Sequence, residues 1–315
     1  MFKILISEKV AEDTIKYLEN NGVIVKHGHG LDRETICEDI CDCDAVMVRT
    51  MRIDRHVLER APRLKVIAKH GVGCDSIDLV SAERMGIPVV YSPGSNSLSV
   101  AEHTIALMLS CAHCIHKANR SYSEGNYCIK DTLDITEISG KTLGLLGLGN
   151  VALHVARIAN LGFDMRIKGF SKHNDKVLPS YIERVKIIDD IFREADFISL
   201  HIPVNTETKD LINRSQITKM KKSAFLINTA RGEIVNTEDL IKSLESGDIA
   251  GAGLDVSSPE PCLPDSKLFS LDNVVLTPHI GASSKESMVR MGLMAAEGVV
   301  DVLNGRKPRY IYHMW

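Results

Sequence analysis

Four short stretches hold residues whose types and spacing could do chemistry. The first is Gly147-Leu148-Gly149-Asn150-Val151-Ala152. It lies between an apolar run, Leu143–Leu146, and a segment, Val151–Leu161, with the apolar spacing of a helix. Strand, glycine turn and helix in that order make the G-x-G-x-x-G/A pattern of a dinucleotide-binding turn. Gly147 allows a tight turn, Gly149 lets backbone approach a pyrophosphate, and Ala152 lets the helix pack on the sheet. The first N–H groups of the helix and the positive end of its dipole would then meet the phosphates.

The other three stretches each end an apolar run. Leu226-Ile227-Asn228-Thr229-Ala230-Arg231-Gly232 finishes on an arginine, which can grip a carboxylate with two parallel hydrogen bonds. Gly253-Leu254-Asp255-Val256-Ser257-Ser258-Pro259-Glu260-Pro261 puts Asp255 at a strand end and Glu260 between two prolines. Leu276-Thr277-Pro278-His279-Ile280-Gly281 places a histidine, able to give and take a proton near neutral pH, in the same kind of position. Each has a plainer reading taken singly: a surface arginine capping a turn, a solvated loop acid, a structural histidine. Together, at successive strand ends behind a dinucleotide turn, they fit one task. That task is holding a 2-keto acid and moving a proton as a hydride moves.

The elements that must position them read as two α/β units. Lys3–Ser7, Val23–His27, Ala45–Val48, Val66–Lys69 and Val89–Tyr91 are strand-like, with helical or turn-like segments between them. A second set, Leu143–Leu146, Arg166–Phe170, Phe197–Leu200, Ala224–Asn228, Gly251–Leu254 and Val274–Leu276, alternates with helices in the same way. Such alternation predicts parallel sheets covered on both faces. A helix over Ser99–Ala118 leads from the first unit into the second. A late helix, Ser284–Leu303, is framed by Ser283 and Glu286 at capping-box spacing and by Gly305, with Met288, Met291, Ala295, Val299 and Val302 on one face. It and the tail Tyr310-Ile311-Tyr312 are read as returning to the first unit. The fold expected is therefore a Rossmann nucleotide domain, residues 99–284, inserted into a discontinuous flavodoxin-like domain, residues 1–98 and 285–315, with the substrate in the cleft between them.

Composition sets outer bounds. A chain of 315 residues, 44% hydrophobic and 25% charged, suits about two ordinary globular domains. A net charge of −3 without a basic cluster argues against nucleic acid as the main partner. No leader precedes the first strand, and the most apolar stretch, Ile105–Ile115, is too short to span a bilayer, so neither secretion nor a membrane is expected and the cytoplasm is. Of eight cysteines, Cys37, Cys41 and Cys43 cluster and Cys111 and Cys114 lie near His113 and His116. The second group falls within a helical pattern and lacks a second pair at zinc spacing, so free thiols and no metal are expected.

The Gly147–Ala152 turn, Thr229-Ala230-Arg231-Gly232, Pro259-Glu260-Pro261 and Pro278-His279-Ile280-Gly281 resemble the signature motifs of the D-isomer-specific 2-hydroxyacid dehydrogenases. So do Val48-Arg49-Thr50, Gly71-Val72-Gly73-Cys74-Asp75-Ser76-Ile77-Asp78 and Pro93-Gly94-Ser95-Asn96-Ser97-Leu98-Ser99-Val100-Ala101-Glu102, so that the resemblance runs through nearly the whole chain. It implies a homodimer built largely on the nucleotide domain, and Arg231, Glu260 and His279 as catalytic triad. It further implies substrate contacts from Arg49, Thr50, Val72 and Gly73. Cofactor contacts would come from Gly147, Gly149, Asn150, Val151, His201, Pro203, Thr229 and Ala230, with Asp255 on the nicotinamide carboxamide.

The second strand of a dinucleotide fold usually ends in an acid that binds the ribose hydroxyls. Here Arg166–Phe170 is followed by Ser171-Lys172-His173, 24 residues after Gly147, with no acid. A hydroxyl and an ammonium accept a 2′-phosphate that a carboxylate repels. The stretch resembles the NADP-preferring glyoxylate and hydroxypyruvate reductases of the family, so NADP is expected ahead of NAD. Arg49, Thr50, Met51 and Arg52 suit a small anionic acid: glyoxylate, hydroxypyruvate or, as the alternative, a phosphorylated hydroxy acid such as phosphoglycerate. A non-catalytic dinucleotide sensor, like the corepressors that share this fold, would keep the glycine turn without needing the Arg–Glu–His set. A short-chain dehydrogenase would need a tyrosine four residues before a lysine, which the chain lacks.

Overall fold

In the computed structural model, which describes residues 1–172 and 177–313, the apolar runs become strands of two all-parallel sheets. The chain divides into two compact units, Met1–Asn96 together with the segment from Ala282 onward, and Ser97–Gly281. Both have parallel sheets covered on both faces by helices, and the second is inserted within the first.

The first unit holds β1 (Phe2–Ile6), β2 (Val23–His27), β3 (Ala45–Val48), β4 (Val66–Lys69) and β5 (Val89–Val90) in the order β2-β1-β3-β4-β5. This is the flavodoxin-type doubly wound order. The central β3 and β4 are buried throughout, as a parallel sheet covered on both faces requires, whereas edge strand β2 is partly exposed. The helix Lys285–Leu303 lays Ala295, Ala296, Val299 and Val300 against Ile4, Ile6, Met47, Val66 and Ala68. Its N-cap is Ser284, whose hydroxyl accepts from Ser287 N, and not Ser283 paired with Glu286: the first helical turn begins one residue later than the capping-box spacing suggests. The tail does return to this unit, where Tyr312 N donates to Val89 O and Ile311 forms an antiparallel bridge with Val90.

The second unit adds β6 (Thr142–Leu146), β7 (Arg166–Phe170), β8 (Ile182–Arg184), β9 (Phe197–Leu200), β10 (Phe225–Asn228), β11 (Gly251–Leu254) and β12 (Val274–Leu276), in the order β12-β11-β10-β9-β6-β7-β8. Counted from β6, this is the Rossmann order with one strand more, and its direction of growth reverses between β6 and β9. Strand β8 has no counterpart among the expected strands. It is three residues long, at the sheet edge, and too short to carry a period. The helix expected over Ser99–Ala118 is two, Ser97–Ala112 and Ile115–Ser123, bent by 64°. The break is Cys114, at φ 51°, a left-handed conformation that a non-glycine residue seldom takes and that leaves no mark in sequence. No single helix among the described residues is long and apolar enough to cross a membrane, and Cys37, Cys41, Cys43, Cys111, Cys114, Cys128 and Cys262 are free thiols.

Candidate active site

The candidate residues of the second unit line up along one edge of its sheet. Hydrogen bonds continue the ladder just past the strands: Gly147 N to Phe170 O (2.9 Å), His201 N to Leu146 O (2.7 Å), Asp255 N to Asn228 O (2.9 Å) and Thr277 N to Leu254 O (2.9 Å). The loops after β6, β9, β10, β11 and β12 therefore emerge side by side at the carboxyl ends of neighbouring strands, where ligands bind in open parallel sheets.

At the switch between β6 and β9, the glycine turn meets the requirements of a pyrophosphate cradle. Gly147 has φ +96°, and a Cβ there would lie 2.3 Å from the His201 carbonyl oxygen, so only glycine fits. A Cβ on Gly149 would meet nothing within 4 Å. Gly149 is the N-cap of the helix Asn150–Phe163, and no side chain caps its first N–H groups, which remain for an anion. Ala152 is fully buried against the sheet, while Asn150 is exposed and Val151 half-buried beside it. His201 is oriented by Ser199 (Oγ to Nε2, 2.9 Å), and burial pushes its imidazole down to about 3, so it is neutral.

Glu260 and His279 come together across 19 residues of chain: Oε1 of Glu260 lies 2.5 Å from Nδ1 of His279. Both side chains are close to half exposed, leaving the ring accessible. His279 has φ 54°, held by its own N–H donating to Asp255 O (2.8 Å) and Thr277 O (3.0 Å). Strain of this kind gathers where a side chain must be aimed. Arg231 follows a turn stapled by Asn228, whose Oδ1 accepts from Ala230 N (3.0 Å) and whose Nδ2 donates to Arg231 O (2.8 Å). The Arg231 guanidinium donates back to Ala230 O (2.7 Å). Thr229 is buried, with its hydroxyl 2.9 Å from that of Thr104 on the helix Ser97–Ala112. After Arg231, a Cβ on Gly232 would lie 1.9 Å from Ser257 O, so this turn sits directly against the loop that carries Glu260.

Asp255 is 2% exposed. Its Oδ1 accepts from the Thr277 hydroxyl (2.6 Å) and Ile280 N (2.9 Å), its Oδ2 from Gly281 N (2.8 Å), and His103 Nε2 stands 3.2 Å from Oδ1. Burial alone would raise its carboxyl, but the His103 and Thr277 hydrogen bonds and the two amides hold it below the usual range. Within this unit Asp255 thus anchors both sides of His279. His103 escaped the sequence reading because a histidine inside a helical pattern carries no signal of where its ring will point.

After β7, Ser171 is half-buried and Lys172 exposed, while His173 lies outside the described residues. Lys172 Nζ pairs with the carboxylate of Glu207. Glu207 belongs to a turn after β9, beyond His201 and Pro203, in which Asn205 Oδ1 accepts from Glu207 N (2.9 Å) and Thr208 N (3.0 Å), and Thr208 Oγ1 donates to Pro203 O (2.7 Å). An acid therefore does stand at this corner. It arrives from 35 residues downstream, where sequence spacing along the second strand could not find it.

In the first unit, Arg49, Thr50 and Met51 form a loop after β3 that wraps one carboxylate, that of Glu8 after β1. Glu8 accepts from Arg49 N (2.6 Å), Thr50 N (2.8 Å), Met51 N (3.1 Å) and Thr50 Oγ1 (2.6 Å). Arg49 Nη1 also donates to Lys9 O (3.2 Å), and Lys69, largely buried at the end of β4, donates from Nζ to Arg49 O. Val72 and Gly73 lie half-buried on the loop that follows, opened by Gly71 at φ +146°. Among the described residues, no cluster of three or more His, Cys, Asp or Glu is placed to hold a metal.

A Rossmann sheet with a glycine turn at its switch point defines an α/β dinucleotide-binding protein. The sequence profile described as D-isomer specific 2-hydroxyacid dehydrogenase, NAD binding domain, matches residues 105–281, and the chain belongs to that family. It is 38% identical to the D-3-phosphoglycerate dehydrogenase of Archaeoglobus fulgidus over 96% of this chain and 58% of that one. It is 37% identical to the hydroxypyruvate reductase of Thermotoga maritima over 95% of this chain and 97% of that one. The chain thus spans 55% to 60% of the length of the phosphoglycerate dehydrogenases it resembles here. Its fold superposes on the TT0316 protein of Thermus thermophilus with a TM-score of 0.92, at 34% identity and covering 99% of this chain and 100% of that one.

Proposed function

We propose that this protein is a nicotinamide-dependent D-2-hydroxyacid dehydrogenase that reduces a small 2-keto acid of the glyoxylate or hydroxypyruvate class. The observation that carries the reading is the Glu260–His279 pair, 2.5 Å apart on adjacent strand-end loops, beside the Arg231 turn and in the same row as the glycine turn. The second unit would hold the dinucleotide, with its pyrophosphate at Gly147–Val151 and further contacts from His201, Pro203, Thr229 and Ala230. Asp255, whose Oδ2 accepts from Gly281 N, would take a carboxamide N–H as well. When bound, the nicotinamide supplies the hydride.

The chain's own residues do the rest. Arg231 binds the substrate carboxylate and polarises the neighbouring carbonyl through charge-assisted hydrogen bonds. Glu260 orients the His279 imidazole through Nδ1, so that Nε2 can give a proton to the carbonyl oxygen as negative charge develops there. Arg49, Thr50, Val72 and Gly73 of the first unit supply further substrate contacts. Ser171 and Lys172 support NADP ahead of NAD, since both donate to a 2′-phosphate.

Phosphoglycerate oxidation is the second reading, favoured by the 38% to 40% identity to phosphoglycerate dehydrogenases. A homodimer in the cytoplasm fits both. Ile115, Tyr122, Tyr127 and Ile135 expose apolar surface in one stretch of the second unit, and light scattering of the purified chain tests the dimer. Activity is tested with glyoxylate, hydroxypyruvate and phosphohydroxypyruvate, each with NADPH and NADH. Turnover of either unphosphorylated acid supports the first reading, and turnover of phosphohydroxypyruvate alone supports the second. Dinucleotide binding without turnover of any keto acid would instead indicate a sensor.

A further inference from the structure

The Lys172–Glu207 pair joins the loops that follow β7 and β9, and these are the two strands that flank β6 in the sheet. The pair therefore reaches across the carboxyl end of β6, the strand that runs into the Gly147–Ala152 turn. Glu207 is set there by a hydrogen-bonded turn: Asn205 Oδ1 holds its amide, and Thr208 ties the same turn to Pro203 O. On the other side, Lys172 stands two residues beyond β7, the position from which a second Rossmann strand reads the adenosine ribose. Both side chains are exposed, at 62% and 65%, so neither contributes to the core.

We propose that Glu207 is a cofactor-selectivity residue that masks the Lys172 ammonium, so that the adenosine corner presents a nearly neutral pair to the ribose rather than a bare cation. This rests on the dinucleotide-binding reading given above and adds the group that sets its preference. A 2′-phosphate approaching Lys172 meets the carboxylate of Glu207 as well, and the attraction of one is largely cancelled by the repulsion of the other. A ribose 2′-hydroxyl carries no charge and is indifferent to the cancellation. The pair thereby narrows the gap between NADPH and NADH that Ser171 and Lys172 alone would open. Because both charges are solvated, the effect is of the size measured for exposed ion pairs and weakens with salt.

The test is the dissociation constant of NADPH and of NADH, each measured by cofactor fluorescence at low and high NaCl, for the wild type, Glu207→Gln and Lys172→Gln. Glu207→Gln is expected to raise the NADPH-over-NADH affinity ratio about two- to fivefold at low salt, with a smaller rise at high salt. Lys172→Gln is expected to lower the ratio. Unchanged thermal melts check that both variants fold. A ratio unmoved or lowered by Glu207→Gln, in a protein that binds both cofactors, overturns the inference and leaves the functional reading intact. Failure of the wild type to bind either dinucleotide overturns both.

Discussion

A Cβ placed on Gly232 would lie 1.9 Å from the carbonyl oxygen of Ser257 and 2.1 Å from its carbonyl carbon. These are backbone atoms and cannot swing aside. The residue after Arg231 is therefore glycine because the Arg231 turn and the Ser257–Glu260 loop pack backbone to backbone. Gly232→Ala should push the two loops apart, costing about 1–3 kcal/mol as overpacking does, and turnover should fall with it. Urea unfolding and steady-state kinetics on the same preparation read both effects. A variant of wild-type stability and activity would show that this close approach does not matter.

If His279 is the proton donor, His279→Ala should lower turnover by on the order of 10²–10⁴, the usual size of a general acid–base contribution. Glu260→Gln keeps a hydrogen-bond acceptor at Nδ1 and removes the negative charge, so it should lower turnover less than His279→Ala. The binding of NADPH should change little in either variant. Near-normal turnover in His279→Ala would remove the histidine from the chemistry.

Much of this site was legible in the sequence because its residues end apolar runs. Parallel strands need continuous burial, so β3, β4, β6 and β9 to β12 stand out as short hydrophobic blocks. Whatever polar residue follows each block is carried to the same edge of a sheet. What escaped the sequence was set by contacts between distant segments. Glu207 reaches Lys172 from another strand's loop, His103 reaches Asp255 from within a helix, and Glu8 reaches the Arg49 loop from 41 residues away. The bend at Cys114 escaped for a different reason, since nothing in a cysteine announces a left-handed backbone.

His70, at the end of β4, is buried with no hydrogen-bond partner at either ring nitrogen among the described residues, and burial pushes its imidazole down to about 4. In the unfolded chain a histidine titrates near 6.5. Between those values the unfolded state binds a proton that the folded state refuses, so stability falls as the pH drops from about 6.5 towards 4 and is unaffected by this group above 6.5. The loss amounts to about 1.4 kcal/mol per pH unit in that window. Urea unfolding at pH 7 and pH 5.5 should show the wild type losing about 1 kcal/mol more than His70→Asn. Equal losses would mean that the buried imidazole is not what makes this unit acid-sensitive.

The carboxylate of Glu8 occupies the backbone amides of the Arg49–Met51 loop, and this gives it a role no strand-end argument assigns. Burial alone would raise its carboxyl, yet the Thr50 hydroxyl and the amides of Arg49, Thr50 and Met51 together hold it below the usual range. The loop is thus shaped around a permanent negative charge, with Arg49 fixed at its N–H and the guanidinium free to extend towards Lys9 O and solvent. In Glu8→Ala three amides and a hydroxyl lose their shared acceptor, and the loop loses what holds Arg49 in one conformation. If Arg49 binds the substrate, the KM for the keto acid should rise several-fold in Glu8→Ala, with a smaller change in kcat. NADPH affinity should not move, because Glu8 belongs to the first unit and the glycine turn to the second. Glu8→Gln restores an acceptor oxygen for part of the loop and should recover part of the KM, which separates loss of the anchor from general unfolding. An unchanged KM in a well-folded Glu8→Ala would take Arg49 and its loop out of substrate binding.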